Sequence, residues 1–203
     1  MSTVSLSVGR PTLADRLFSR SIVSDLVLIA AGAAFTSIMA QIAIPLWPVP
    51  ITMQTFAALL VGSSLGWSRG ALSMVLYALL GLVGLPVFSD QAHGPAILFG
   101  ATGGYIVGFI LAAALTGWLA QRQWDRKVLG AFVSFALGAV VVYAVGLPWL
   151  AVTLGLDLPS TLSAGLYPFL IGDALKAALA AGLLPLVWRL IRRNDSRTDS
   201  LEK

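Results

Sequence analysis

Six long apolar stretches run along the chain, at about 21–45, 52–67, 70–87, 96–120, 128–154 and 165–190. Between them lie LWPVP, WSRG, SDQAHGP, QRQWDRK and GLDLPSTLSAG, each rich in turn formers or charge. A helix rises ~1.5 Å per residue and a hydrocarbon core is ~30 Å thick, so stretches of this length predict transmembrane helices. The first exceeds the ~7–15 apolar residues of a secretory signal and is read as a retained span. The pattern predicts an all-α integral membrane protein, with a six-helix domain over 21–193. Polar tails flank it at 1–20 and 194–203.

The Lys and Arg positions then orient these spans. Arg10, Arg16 and Arg20 precede the first; Arg69 lies between the second and third; Arg122, Arg126 and Lys127 lie between the fourth and fifth. Arg189, Arg192, Arg193, Arg197 and Lys203 close the chain, and these twelve of the thirteen basic residues all fall on one side of a six-span topology. By the positive-inside rule both termini are cytoplasmic. The connections on the other side hold no Lys or Arg, and Asp90 and Asp157 are their only charges.

Composition narrows the function classes. Apolar residues make up 58% and charged residues 11%, and mean hydropathy is +0.88, a membrane composition rather than a soluble one. A formal charge of +4 invites a nucleic-acid reading, but the cations sit in clusters at the ends of apolar runs, which argues against it. With no Cys and with His93 the only histidine, the sequence offers no disulfide, no thiolate chemistry and no multi-ligand zinc set.

Lys176 is the basic residue left over, and it sits in FLIGDALKAAL with Asp173 three positions before it. On a helix the two share a face. Each costs about 2.5–3.5 kcal/mol at a bilayer centre, so both are expected to point into the bundle, some 12–15 Å in from the outer end of the sixth span. One group only accepts and the other only donates, which suits a solute carrying an anionic group and N–H donors. A structural ion pair fixing helix packing is the competing account.

Around this pair the outer segments supply pocket candidates. PLWPVPITMQT has three prolines in six residues and reads as an ordered outer loop, with Trp47, Thr52 and Gln54 positioned to cover or contact a solute. Trp47 is equally suited to a headgroup-level turn. Farther on, Phe88, Asp90 and Tyr105 combine ring faces with hydrogen-bonding groups, whereas Gly103, Gly104 and Gly108 read as helix-packing positions. GSSLG at 62–66 matches a nucleophile-elbow pattern, yet Ser64 falls at the inner end and His93 in an outer loop, so no Ser–His pair assembles. The first span carries small residues four apart, Ala30 and Ala34, which permit another helix to approach. No Walker A pattern occurs, so any ATP coupling has to come from partners.

Taken in order, PVPITMQT (48–55), GLPVFSD (84–90), GATGGYIVGF (100–109) and PFLIGDALKAALA (168–180) resemble the BioY family of substrate-binding components of energy-coupling-factor (ECF) biotin transporters. The resemblance spans nearly the whole membrane region. It implies a six-helix fold that binds biotin from outside, working with a transmembrane coupling subunit and two ATP-binding-cassette ATPases. It also implies that Asp173 and Lys176 contact biotin, that Asp90 occupies a hydrogen-bonding position, and that Ala30 and Ala34 face the coupling subunit. Ala101 stands where the family commonly has Pro.

Biotin's ureido group has two N–H donors and one acceptor, its thioether ring is apolar and its tail ends in a carboxylate. Asp173 suits the ureido N–H groups; Lys176 suits either the ureido oxygen or the carboxylate. Phe88, Tyr105 and Trp47 offer ring surface. The alternative from the residues alone is an ion-coupled secondary transporter of a small carboxylate or vitamin, with the Asp173/Lys176 pair as its proton relay. The sequence calls for no cofactor and assembles no nucleophile and base of an enzyme.

Overall fold

The computed structural model describes residues 10–201, with side chains described through Ile191. The side chains of Arg192, Arg193 and Arg197, and all of Lys203, lie outside the described residues, as do residues 1–9.

The backbone forms α1 (Leu13–Leu17), α2 (Ile22–Ala40), β1 (Ala43–Ile44), β2 (Ile51–Thr52), α3 (Gln54–Leu65), α4 (Trp67–Leu82), α5 (Pro95–Leu98), α6 (Gly103–Gln121), α7 (Val128–Leu154), α8 (Leu158–Gly165) and α9 (Tyr167–Leu201). Four helices, α2, α6, α7 and α9, are long and apolar enough to cross a membrane. The other two apolar helices are shorter, 12 residues in α3 and 16 in α4. The expected all-α fold is modified by the β1–β2 hairpin, an antiparallel pair with Ala43 opposite Thr52 and Ile44 opposite Ile51. It brackets Pro45, Pro48 and Pro50, residues that cannot continue a helix.

Local chemistry sets the helix ends. The Ser21 hydroxyl caps α2 by accepting from the N–H of Ser24 at 3.2 Å, and the Asp157 carboxylate caps α8 by accepting from the N–H of Ser160 at 3.0 Å. Gly66, at φ +89, makes the sharp reversal between α3 and α4.

The most deeply packed helix is α6, which lies against α3, α4 and α7. Glycines bring these axes together: a Cβ on Gly62 of α3 would lie 2.3 Å from the Ala113 carbonyl oxygen of α6, and one on Gly104 of α6 would lie 2.3 Å from Trp149 Cβ of α7. GSSLG is therefore a packing surface at Gly62.

One end of the bundle is held by ion pairs that the loop reading of Arg69 did not anticipate. Arg69 lies in the first turn of α4 and is 2% exposed. Its guanidinium donates to Asp15 of α1 at 2.8 Å, to Asp25 of α2 at 3.2 Å and to the Thr12 hydroxyl at 3.3 Å, while its Nε–H reaches the Leu65 carbonyl at 2.9 Å. Part of the expected polar tail at 1–20 is thus packed structure, with Thr12, Leu13 and Ala14 all buried. Burial raises the Asp15 carboxyl, but the Thr12 N–H and the Arg20 and Arg69 guanidiniums outweigh it and hold the carboxyl below its ordinary 3.8.

The α6–α7 turn lies at this same end, since a Cβ on Gly117 of α6 would meet the Gly66 backbone at 2.4 Å. So does the inner part of α9, where the Trp188 indole N–H donates to Asp125 at 2.5 Å. Arg20, Arg69, Arg122, Arg126 and Lys127 therefore gather at one end of the bundle. The hairpin and the 83–102 segment lie at the other.

Candidate functional site

At the end opposite Arg69 a cavity of about 270 Å³ lies beneath the β1–β2 hairpin, just below the ~300–1,000 Å³ usual for small-molecule pockets. The hairpin contributes Pro48, Val49 and Pro50 as a lid, and α3, α6, α7 and α9 supply the walls.

Five residues singled out from the sequence, Thr52, Gln54, Phe88, Asp90 and Tyr105, line this cavity. Gln54 is fixed before any ligand arrives. Its amide N–H₂ donates to the Tyr77 hydroxyl, and its carbonyl accepts from the Thr52 hydroxyl at 2.8 Å. Phe88 is 1% exposed and meets Tyr77 edge-on at 5.4 Å. Its ring occupies the space a side chain at position 81 would need, since a Cβ on Gly81 would lie 2.0 Å from Phe88 Cζ. Gly81→Ala is therefore expected to overpack this wall and cost about 1–3 kcal/mol of stability, read as a lowered unfolding temperature in detergent.

Asp90 and Gln91 both adopt left-handed backbone angles, φ 56 and 59, beside Phe88. Gln41, at the end of α2, ties this turn down: its amide N–H₂ donates to the Phe88 carbonyl at 3.0 Å, and its carbonyl accepts from the Gln91 N–H at 3.1 Å. Tyr105 faces the cavity with its ring stacked on Phe169 at 6.5 Å, and its hydroxyl donates to the Gly165 carbonyl at 3.0 Å. The phenol thus fastens α6 to the end of α8 and leaves a ring face for a solute.

Trp47 does not join them. It is 83% exposed and is absent from the lining, because the hairpin turns Pro48, Val49 and Pro50 inward and Trp47 outward. Its amphipathic ring then fits the interfacial role the sequence also allowed. Ala30 and Ala34 lie together on an exposed face of α2.

Asp173 and Lys176 share one face of α9 and bond to each other, Nζ to Oδ1, at 2.9 Å, with the two side chains only 12% and 9% exposed. They do not line the hairpin cavity. Between them and it stands Tyr143 of α7, whose hydroxyl donates to the other carboxylate oxygen, Oδ2. Tyr143 lines the cavity on one side and, with Asp173, an apolar groove between α7 and α9 on the other. Its ring also meets Tyr105 edge-on at 6.5 Å. Sequence reasoning passed over Tyr143. The available signal was a lone phenol in VVVYAVG, since a buried Tyr hydroxyl normally needs a hydrogen-bond partner.

The arrangement offers a largely apolar chamber with amide, hydroxyl and carboxylate groups at its wall and an ion pair one side chain behind it. Among the described residues no group of three or more His, Asp or Glu side chains stands close enough to hold a metal ion.

Comparison with known proteins gives concordant results. The BioY family model matches residues 10–193. The chain is 36% identical over 155 residues to the biotin transporter BioY2 of Lactococcus lactis subsp. cremoris, covering 76% of this chain and 85% of that one. It is 39% identical over 157 residues to the biotin transporter BioY of Thermotoga maritima, covering 76% and 90%. Its fold matches the crystal structure of the S-component for biotin from an ECF-type ABC transporter with a TM-score of 0.72 and 27% identity, over 82% of this chain and 92% of that chain.

Proposed function

The chain belongs to the BioY family, and from that premise we propose that it is the biotin-binding S component of an ECF-type transporter and performs no catalysis of its own. In this reading α2, α3, α4, α6, α7 and α9 are six spans of a multi-pass protein of the bacterial plasma membrane, and both termini are cytoplasmic. The hairpin cavity then opens outward. The observation that supports the reading most strongly is this cavity, with a carboxylate–ammonium pair linked to its wall through one phenol.

Biotin's fused ring is proposed to sit against Phe88, Tyr105 and Phe169, with Gln54 and Asp90 at its polar edges. Both oxygens of Asp173 are engaged before binding, by Tyr143 and by Lys176. A ureido N–H reaching Asp173 is proposed to take the place of the Tyr143 hydroxyl at Oδ2, exchanging one hydrogen bond to a charged acceptor for another. Such an exchange keeps the carboxylate paired at the cost of the Tyr143 hydroxyl's acceptor, and only a ligand with an N–H donor at that point can make it. Lys176, already neutralised by Asp173, is left to meet the ureido oxygen or the carboxylate.

Energy is proposed to come from a transmembrane coupling subunit and two ABC-type ATPases, with the coupling subunit approaching the small-residue face of α2 at Ala30 and Ala34. Uptake of labelled biotin into ATP-loaded vesicles tests this. The expected result is uptake that requires the coupling subunit and ATPases and persists when the proton gradient is collapsed. Uptake that runs on the gradient alone, without ATPases, would transfer the Asp173/Lys176 pair to a proton relay and reject the proposal.

A further inference from the structure

The hairpin cavity carries its charge at a single place. Among the described residues, Asp90 is the only Asp, Glu, Lys, Arg or His of the lining. The segments at this end of the bundle, 46–51, 86–95 and 155–164, hold no Lys or Arg. His93, the single histidine, is exposed, with its Nδ1 3.2 Å from the Gln91 carbonyl oxygen, and it does not reach the lining. Lys176 stands behind Tyr143 and is already held by Asp173 at 2.9 Å. An anionic end of a ligand therefore finds no free cation in the chamber.

Depth separates Asp90 from the buried pair. Tyr143, which joins the cavity to Asp173, lies below Trp149 on α7, about 9 Å deeper along the axis. The Trp149 indole N–H donates to the Gly100 carbonyl of the 83–102 segment at 2.9 Å. Asp90 belongs to that segment and is exposed, so it stands at the mouth of the cavity and Tyr143 at its floor. The Asp90 carboxylate has no hydrogen bond or ion pair among the described residues. Ser89 beside it also lines the cavity, and its hydroxyl oxygen is buried without a hydrogen-bond partner. An unused acceptor and an unused donor sit side by side, the complement of an amide, which offers an N–H and a C=O.

On the reading that the cavity takes biotin, we propose that it also takes biotin conjugated through its tail as an amide, and prefers that form to the free acid. Biotin's tail leaves the bicyclic ring on the side away from the ureido group. A ureido that gives an N–H to Asp173 turns its oxygen toward Lys176, so the tail runs from the floor to the mouth and ends at Ser89 and Asp90. There the amide N–H donates to the Asp90 carboxylate, and its C=O accepts from the Ser89 hydroxyl after rotation about χ1. A free carboxylate has no N–H for Asp90 and meets it with like charge.

Titration of the full-length protein in detergent with biotin, biotin methyl ester and the N-methyl amide of biotin tests this, because the three ligands differ only at the end of the tail. Removing one like-charge contact in well-solvated surroundings is worth about fivefold, so the wild type is expected to bind the amide about fivefold or more tighter than biotin. The ester has no charge but also no N–H, and is expected to bind at least about threefold more weakly than the amide. Asp90 is left-handed at φ 56, a conformation that Asn also accepts. Asp90→Asn is therefore expected to keep the unfolding temperature of the wild type and to bring biotin and the amide within about twofold of each other. Biotin binding tighter than the amide, an ester as tight as the amide, or a preference that survives Asp90→Asn would each overturn the proposal while leaving the cavity a biotin site. Binding of none of the three would overturn the biotin reading and this inference together.

Discussion

Asp173→Asn is expected to weaken biotin binding at least tenfold, about 1.4 kcal/mol, while Tyr143→Phe keeps affinity within about threefold of wild type or tightens it. The contrast follows from the hydrogen bonds around the carboxylate. Asp173 presents Oδ1 to Lys176 and Oδ2 to Tyr143. The amide of Asn supplies one acceptor and carries no charge, so it loses the charge-assisted bond to a ureido N–H and the attraction that holds Lys176. Phe at position 143 keeps the ring that closes the cavity wall and removes the hydroxyl that competes with the ligand for Oδ2. Isothermal titration of both purified variants distinguishes the roles. A Tyr143→Phe loss as large as that of Asp173→Asn would mean that the phenol itself holds the ligand, and the exchange at Oδ2 would be rejected.

The largest effect on stability is expected from Arg69→Met. The substitution retains an unbranched apolar stem but removes the guanidinium that Asp15 and Asp25 share, in a network whose three side chains are no more than 2% exposed. Breaking a buried pair by removing one partner typically costs about 3–5 kcal/mol, because a charge stays behind in a poorly solvating environment. Unfolding in detergent is expected to show this loss at neutral pH. Adding Asp25→Asn to Arg69→Met is expected to recover part of it, since one of the two carboxylates that lost the guanidinium is then neutral. The folded Asp15 carboxyl titrates below its ordinary 3.8. Its contribution is therefore complete above that value and is lost as pH falls through the lower folded one, so wild type and Arg69→Met should converge in acid. Equal stability at pH 7 would show that α1 is not clamped by Arg69.

The features that the sequence made legible are those that depend on local composition. Four of the six long apolar runs, the clustering of basic residues at one end and the Asp173/Lys176 pair on one helix face are set by residue type and spacing, and each has its counterpart in the bundle. Gln54, Phe88, Asp90 and Tyr105 were identifiable as cavity residues because polar and aromatic groups at the ends of apolar runs have few other uses.

What escaped depends on contacts between distant segments. Arg69 looked like a loop charge because it follows WS and precedes Gly70. Only the approach of α1 and α2 turns it into a buried centre, and the hint was Asp15 before the first span and Asp25 near its start, in an otherwise basic region. Trp47 has the same composition-level claim to the cavity as Phe88, and the direction of a hairpin turn separates them. Tyr143 sits in the middle of an apolar helix, and neither periodicity nor charge reveals that it stands between the cavity and the ion pair.

The hairpin cavity is proposed to take biotin. Equilibrium titration of the detergent-purified, ligand-stripped full-length protein with biotin, beside riboflavin and thiamine, tests it most directly. Saturable binding of biotin is expected, one molecule per chain, with neither of the other vitamins competing. A folded protein that fails to bind biotin, or that binds all three alike, would contradict it.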